Sequence, residues 1–211
     1  MSRINVIFDL DGTLIDTALA TVPACQDQAS AFGLPPLSAD LIRQTIGWAN
    51  PEFYRRLYPD LEASQRAAYA EAVEKSEAGL IARLGPDLLF PGVADLLLHL
   101  QHIGCFLAIA STGSHGHVSL AMASARITGF FESVNCGQPD KETMVARIRL
   151  KDPDGTWLLV GDKDKDANAA RANHILSVGA RYGYGSASEL LLFDRQVEQP
   201  AEVWQMIGQL A

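Results

Sequence analysis

Positive charge is scarce in this chain. Lysine and arginine together number 17 against 25 aspartates and glutamates, a formal net charge of −8. Nucleic-acid binding needs a basic footprint, which this balance excludes. Any anion the protein holds must be met by a few locally concentrated cations, so individual lysines carry weight. Cysteine is scarce too: Cys25, Cys105 and Cys136 are odd in number, widely spaced and without metal-ligand spacing. They read as reduced thiols, buried rather than bridged. No apolar run approaches the length needed to span a bilayer, and there is no low-complexity tract or internal repeat. The N-terminus passes straight into a strand, so no signal peptide is expected and a cytoplasmic location is. What remains is ordinary for a globular protein: 211 residues, 48% hydrophobic and 20% charged. That is enough for one domain with a modest insert.

Against this background one segment stands out, Asn5-Val6-Ile7-Phe8-Asp9-Leu10-Asp11-Gly12-Thr13-Leu14-Ile15-Asp16-Thr17. Val6, Ile7 and Phe8 read as a central parallel strand, apolar without alternation. Asp9 and Asp11 follow at i and i+2, so an extended backbone points both carboxylates the same way. Gly12 lets the chain turn sharply at the carboxyl end of that strand, where open α/β sheets bind ligands. Two like charges this close oppose each other unless a cation or a shared proton relieves them. The pattern suggests a metal-dependent reaction with one nucleophilic Asp and one proton carrier.

Helices are expected over residues 17–31, 38–46, 51–58 and 62–84 with no strand between them. Ser38 is placed to cap the second and Gly47 to stop it. They form a small all-helical insert, set off by Gly85-Pro86 and Phe90-Pro91-Gly92. Beyond it helix and strand alternate: helices over 93–103, 115–125, 141–150 and 164–173, strands over 105–110, 133–136, 157–160 and 175–180. Such alternation predicts a doubly wound, Rossmann-like parallel sheet. The expected division is a core of residues 1–16 and 87–211 with a helical cap of 17–86. Three later loops fall at strand ends. Ser111 follows an apolar strand and could hold a phosphate oxygen with nearby backbone N–H groups. Lys141 stands just before a helix in Gln138-Pro139-Asp140-Lys141. Gly161-Asp162-Lys163-Asp164-Lys165-Asp166 closes the strand at 157–160.

Asp-Leu-Asp-Gly-Thr-Leu-Ile-Asp-Thr resembles the first motif of the haloacid dehalogenase superfamily in its phosphatase form, and the chain is most similar to phosphoglycolate-phosphatase-like members. The likeness runs from Ile4 to about Leu192 and is weakest over the helical insert. It implies hydrolysis of a small phosphate monoester, with Asp9 as nucleophile and Asp11 as general acid and base. Magnesium would be held by Asp9, Asp162 and the backbone carbonyl of Asp11; such an ion prefers oxygen ligands and keeps several waters. Ser111, Thr13, Thr112 and Lys141 correspond to phosphate-binding positions, and Asp166 to a support for Lys141 or metal-bound water. Related phosphatases often carry Asn after the serine, where this chain has Thr112. The implied partner is a small phosphorylated metabolite, not nucleic acid or membrane, acted on by a monomer or homodimer.

Alternatives narrow unevenly. A dehalogenase lacks the second Asp, present here as Asp11, and a phosphonatase would need an amine in the insert, where Lys75 is the lone lysine. A phosphomutase of the same superfamily shares every motif, and a phosphate-binding protein without turnover remains a reading from another class. Lys163 and Lys165 read as surface residues. His115 and His117 are two apart and would not share a helix face, so they do not make a metal pair. Gly183-Tyr184-Gly185-Ser186 reads as a turn. Gly47-Trp48-Ala49-Asn50 is the candidate cap loop reaching the site, with Trp48 either a specificity wall or part of the insert's own core. Arg43, Arg55, Arg56, Arg66 or Arg83 could meet a carboxylate on the substrate.

Overall fold

The computed structural model describes residues 3–138 and 140–208; Pro139 of the lysine motif lies outside them. Six parallel strands make one sheet in the order β3-β2-β1-β4-β5-β6. They are β1 (Ile4–Phe8), β2 (Phe106–Ser111), β3 (Ser133–Cys136), β4 (Thr156–Gly161), β5 (Leu176–Ala180) and β6 (Arg195–Val197). β1 is central, paired with β2 on one side and β4 on the other. Its side chains alternate between two layers. Val6 and Phe8 join one apolar cluster with Leu97 and Leu100 of α5 (Val93–His102) and Val203 and Ile207 of α10 (Ala201–Ile207). Ile7 joins the other, with Met144, Val145 and Ile148 of α7 (Lys141–Arg149) and Ala169 and Ala170 of α8 (Asp164–Ala172). Burial on both faces explains why the strand reads as a continuous apolar run.

The four insert helices are α1 (Ala18–Ala31), α2 (Ala39–Thr45), α3 (Glu52–Leu57) and α4 (Ala63–Leu84). They enclose their own apolar cluster, in which Tyr54 and Tyr58 meet Tyr69 edge-on, with the exposed Phe32 ring against Tyr69 at its margin. The Tyr69 hydroxyl donates to the Cys25 carbonyl at 2.9 Å, so its polar end is satisfied in the interior. Chain enters and leaves this unit side by side. Asp16 N–H donates to Leu88 C=O at 2.7 Å and Phe90 N–H to Leu14 C=O at 3.1 Å. These two strands of linker form a short antiparallel bridge at Ile15 and Leu89.

The expected elements are present within a residue or two, with α6 (His115–Ser124) and α9 (Ala187–Leu190) completing the set. The C-terminal strand and helix, β6 and α10, were not expected. β6 is three residues long with one buried position, and α10 is two turns, too short for either period to register in sequence. All three cysteines are free and buried. Among the described residues no helix is long and apolar enough to cross a membrane.

Candidate active site

Because β1, β2 and β4 are parallel, Asp9, Ser111 and Asp162 emerge together at their carboxyl ends. The strand order reverses between β1 and β4, which opens the crevice characteristic of such sheets. Gly12 sits there at φ +82°, and a Cβ on it would fall 2.5 Å from the Asp162 carboxylate. Only glycine lets the first loop turn against the fourth. Gly161 is constrained likewise: a Cβ would lie 2.2 Å from Asp166 Cγ.

Lys141 is the first residue of α7, whose start is fixed by the Asp140 side chain accepting from Thr143 N–H at 3.1 Å. From there its buried ammonium lies 2.8 Å from Asp9 Oδ1 and 2.6 Å from Asp166 Oδ1. Asp166 uses its other oxygen to accept from Lys163 N–H at 3.0 Å, tying the first turn of α8. Carboxylate oxygens of Asp9, Asp162 and Asp166 lie within 4.8 Å of one another. Burial pushes the Asp9 pKa up to about 7 against the pull of Lys141, and the Asp166 charge adds to the rise. Asp162 is held well above the usual carboxylate range, by burial first and then by Asp9 and Asp166. Burial works against the Lys141 charge, yet Asp166 and Asp9 together raise its pKa.

Three carboxylates and one lysine leave this cluster short of positive charge. Asp162 Oδ2 accepts from Tyr184 N–H at 2.7 Å, but Oδ1 is buried without a partner. An oxygen-only set with an orphaned acceptor fits a hard divalent cation. Asp166 joins Asp9 and Asp162 in this cluster, while Asp11, expected to offer only its backbone carbonyl, keeps its carboxylate out of it. That leaves the backbone carbonyl as the part of Asp11 available to a metal.

The Asp11 side chain turns instead toward a cavity of about 420 Å³ between the sheet end and the insert. Its Oδ1 accepts from Thr17 Oγ1 at 2.5 Å and lies 2.8 Å from His117 Nε2. Burial would raise the Asp11 pKa, but the His117 charge and hydrogen bond outweigh it and leave it lowered. Burial would lower His117, while Asp11, Glu77 and Glu74 raise it to about 9. Sequence reasoning set this histidine aside because it asked only about a pair on one helix. Its distance from Asp11 along the chain, 106 residues, hid the contact.

Other expected residues are redistributed. Ser111 is buried and its Oγ accepts from Gly113 N–H at 3.1 Å, which shapes the loop after β2. Thr13 does not offer its hydroxyl to the crevice: that oxygen is sealed and unpartnered, while its carbonyl accepts from Tyr182 at 3.1 Å. Thr112 donates to the Gly47 carbonyl of the cap loop at 3.0 Å, so its hydroxyl is engaged across the interface. Lys163 and Lys165 are not free surface residues. Lys163 Nζ donates to the carbonyls of Gln44 and Tyr184 at 3.3 and 3.0 Å, and Lys165 Nζ to that of Gly47 at 3.2 Å. The turn at Gly183–Ser186 walls the site through Tyr184, whose hydroxyl also donates to Asp16 at 2.6 Å.

Trp48 lines the cavity, 37% exposed, with Arg56 3.6 Å and Lys165 3.8 Å from its ring centre. Its ring borders the cavity and stands outside the insert's apolar cluster. None of the five cap arginines lines the cavity. Arg43 pairs with Asp40, Arg55 and Arg56 with Glu52, and Arg66 with the Leu61 carbonyl. The charged residues that do line it are Asp11, Glu74, Glu77 and His117. The structure therefore sets no cap arginine in the cavity wall, where a substrate carboxylate would meet it.

A buried aspartate paired with a buried lysine, beside a cluster of carboxylate oxygens at a parallel strand end, makes this the candidate active site. The profile of haloacid dehalogenase-like hydrolases matches residues 6–180, and the chain belongs to that family of enzymes. Among its relatives, the phosphoglycolate phosphatase of Synechococcus elongatus is 28% identical over 212 residues, covering 97% of each chain. That of Rhodobacter capsulatus is 32% identical over 177 residues, covering 79% of this chain and 78% of its own. Among solved structures, a predicted phosphoglycolate phosphatase from Haemophilus somnus superposes with a TM-score of 0.85 at 20% identity. That match covers 98% of this chain and 99% of the other, and supports the fold.

Proposed function

We propose that this protein is a magnesium-dependent phosphatase of small phosphate monoesters, working through an aspartyl-phosphate on Asp9. The observation that carries the reading is the Asp9–Lys141–Asp166 chain beside Asp162 at the mouth of β1 and β4. Asp9 attacks phosphorus in line and the ester oxygen departs, protonated by Asp11. Water then attacks the aspartyl-phosphate, its proton passing to Asp11, and inorganic phosphate leaves. Lys141 neutralises the nucleophile and a phosphoryl oxygen, and Ser111 and the backbone N–H groups of its loop hold the others. Asp9, Asp162, Asp166 and the Asp11 carbonyl would hold the magnesium ion, which when bound supplies positive charge to the phosphoryl oxygens. Residues 17–86 act as the cap, closing the cavity over the site and excluding water.

The relatives nominate phosphoglycolate as the first substrate to test. The cavity's acidic lining, with His117 as the sole basic residue there among the described residues, supports a broad panel beside it. Phosphate release from phosphoglycolate, sugar phosphates and amino-alcohol phosphates, with and without magnesium, tests the assignment. Expected is magnesium-dependent turnover of at least one alkyl ester. Release of phosphate from none overturns it, and isomerised ester in place of free phosphate would mark a mutase. With its three thiols reduced and buried, we place the reaction in the cytoplasm.

A further inference from the structure

Position 117 is fixed by local structure. Ser114 caps α6, its Oγ accepting from His117 N–H at 3.2 Å, so the histidine stands in the first turn of that helix at the cavity wall. Both hydrogen bonds to the Asp11 carboxylate fall on one oxygen: Thr17 and His117 each meet Oδ1, at 2.5 and 2.8 Å. Among the described residues none reaches Oδ2, and Asp11 borders the cavity. A carboxylate tethered twice at one oxygen turns about its last bond only by giving up both hydrogen bonds. We propose that His117 is a positioning residue for the phosphatase reaction, pinning Oδ1 of Asp11 so that Oδ2 alone meets the leaving oxygen.

This assignment rests on the phosphatase reading and deepens it. In the first step the ester enters as its monoanion and gives its proton to Oδ2 of the ionised Asp11; the bond from phosphorus to the ester oxygen breaks as the bond to Asp9 forms, and that proton moves to the departing oxygen. In the second the water oxygen bonds to phosphorus, the bond to Asp9 breaks, and the water proton returns to Oδ2. Each transfer needs the same oxygen aimed along the same line, and proton transfer is sensitive to such aim. Thr17, at the entry to α1, and His117, on α6, hold the acid–base carboxylate from the cap side and the core side together.

A purely structural role and a positioning role separate by leaving group. A p-nitrophenolate departs without a proton, whereas an alkoxide does not. With magnesium present, kcat/KM reports the steps up to aspartyl-phosphate formation and is measured for both ester types in wild type, His117→Leu and His117→Gln. Expected is a loss of about 100-fold on the alkyl ester for His117→Leu, against a loss about tenfold smaller on p-nitrophenyl phosphate. His117→Gln, which keeps a donor for Oδ1, recovers most of the alkyl activity. Equal losses on both esters, or no recovery by glutamine at an unchanged Tm, overturn the assignment. If the leucine variant does not fold, His117→Asn is measured in its place, being polar but too short to reach Asp11, with the same outcomes deciding. A wild-type protein inert toward every ester refutes the phosphatase reading itself. Active wild type with parallel losses in the variant refutes only the role of His117.

Discussion

Replacing Asp9 by asparagine separates what the site does for chemistry from what it does to stability. In metal-free protein Asp9 titrates at about 7 in the fold, against a reference value of 3.8. A carboxyl whose folded pKa is raised contributes no penalty below its unfolded pKa. The penalty grows as pH rises between the two values and is complete above the folded one. Three units at 1.36 kcal/mol each set a ceiling of about 4 kcal/mol at pH 8. Asparagine removes that ionisation while leaving Lys141 its pair with Asp166 at 2.6 Å. Asp9→Asn is therefore expected to be more stable than wild type in chelator at pH 8, by about 1 to 4 kcal/mol. For a domain of this size that is a rise in Tm of about 3 to 10 °C. The gain should shrink steadily toward pH 4 and be offset in magnesium, where wild type recovers the ion that Asp9 helps hold. Calorimetry across pH 4–8, in chelator and in magnesium, reads this directly, and phosphate release falls to background in the variant. An Asp9→Asn protein no more stable than wild type at pH 8, or a gain independent of pH, would refute the reasoning. Retention of a tenth of wild-type turnover would remove Asp9 as nucleophile.

The carboxylates around it should divide their roles. Asp162→Ala removes the orphaned oxygen and is expected to weaken magnesium affinity, read by titration calorimetry, more than Asp166→Ala does; equal losses would count against Asp162 as principal ligand. Asp166→Ala also strips Lys141 and the first turn of α8 of a buried partner, so its Tm should fall furthest, by the equivalent of about 3 kcal/mol or more. Trp48→Ala is expected to reorder kcat/KM among substrates with Tm within about 2 °C, since its ring borders the cavity outside the insert core. A uniform loss of activity with a lowered Tm would return Trp48 to a packing role.

The parts of this protein written in the sequence are those carried by local pattern. Val6-Ile7-Phe8 had to be a doubly covered strand, and Asp9, Asp11 and Gly12 had to follow at its end. A parallel sheet then gathers every strand end onto one edge, which is why Ser111 and Asp162 could be placed near Asp9 without coordinates. The four helices over residues 18–84 were equally legible, because periodic segments without a strand cannot join a sheet. Which way each side chain turns was not written there. Asp11 and His117 are 106 residues apart, and only the packing of α6 over the first loop makes them neighbours. Lys163 and Lys165 look like solvated residues until Gln44 at the end of α2 and Gly47 of the cap loop bring carbonyls within reach of their ammonium groups. Arg43, Arg55 and Arg56 look like anion binders until their own helices supply Asp40 and Glu52. Periodicity reports which face of an element is buried, a property of consecutive residues. The partner of a polar group depends on which elements meet, and that is settled only when the chain has folded.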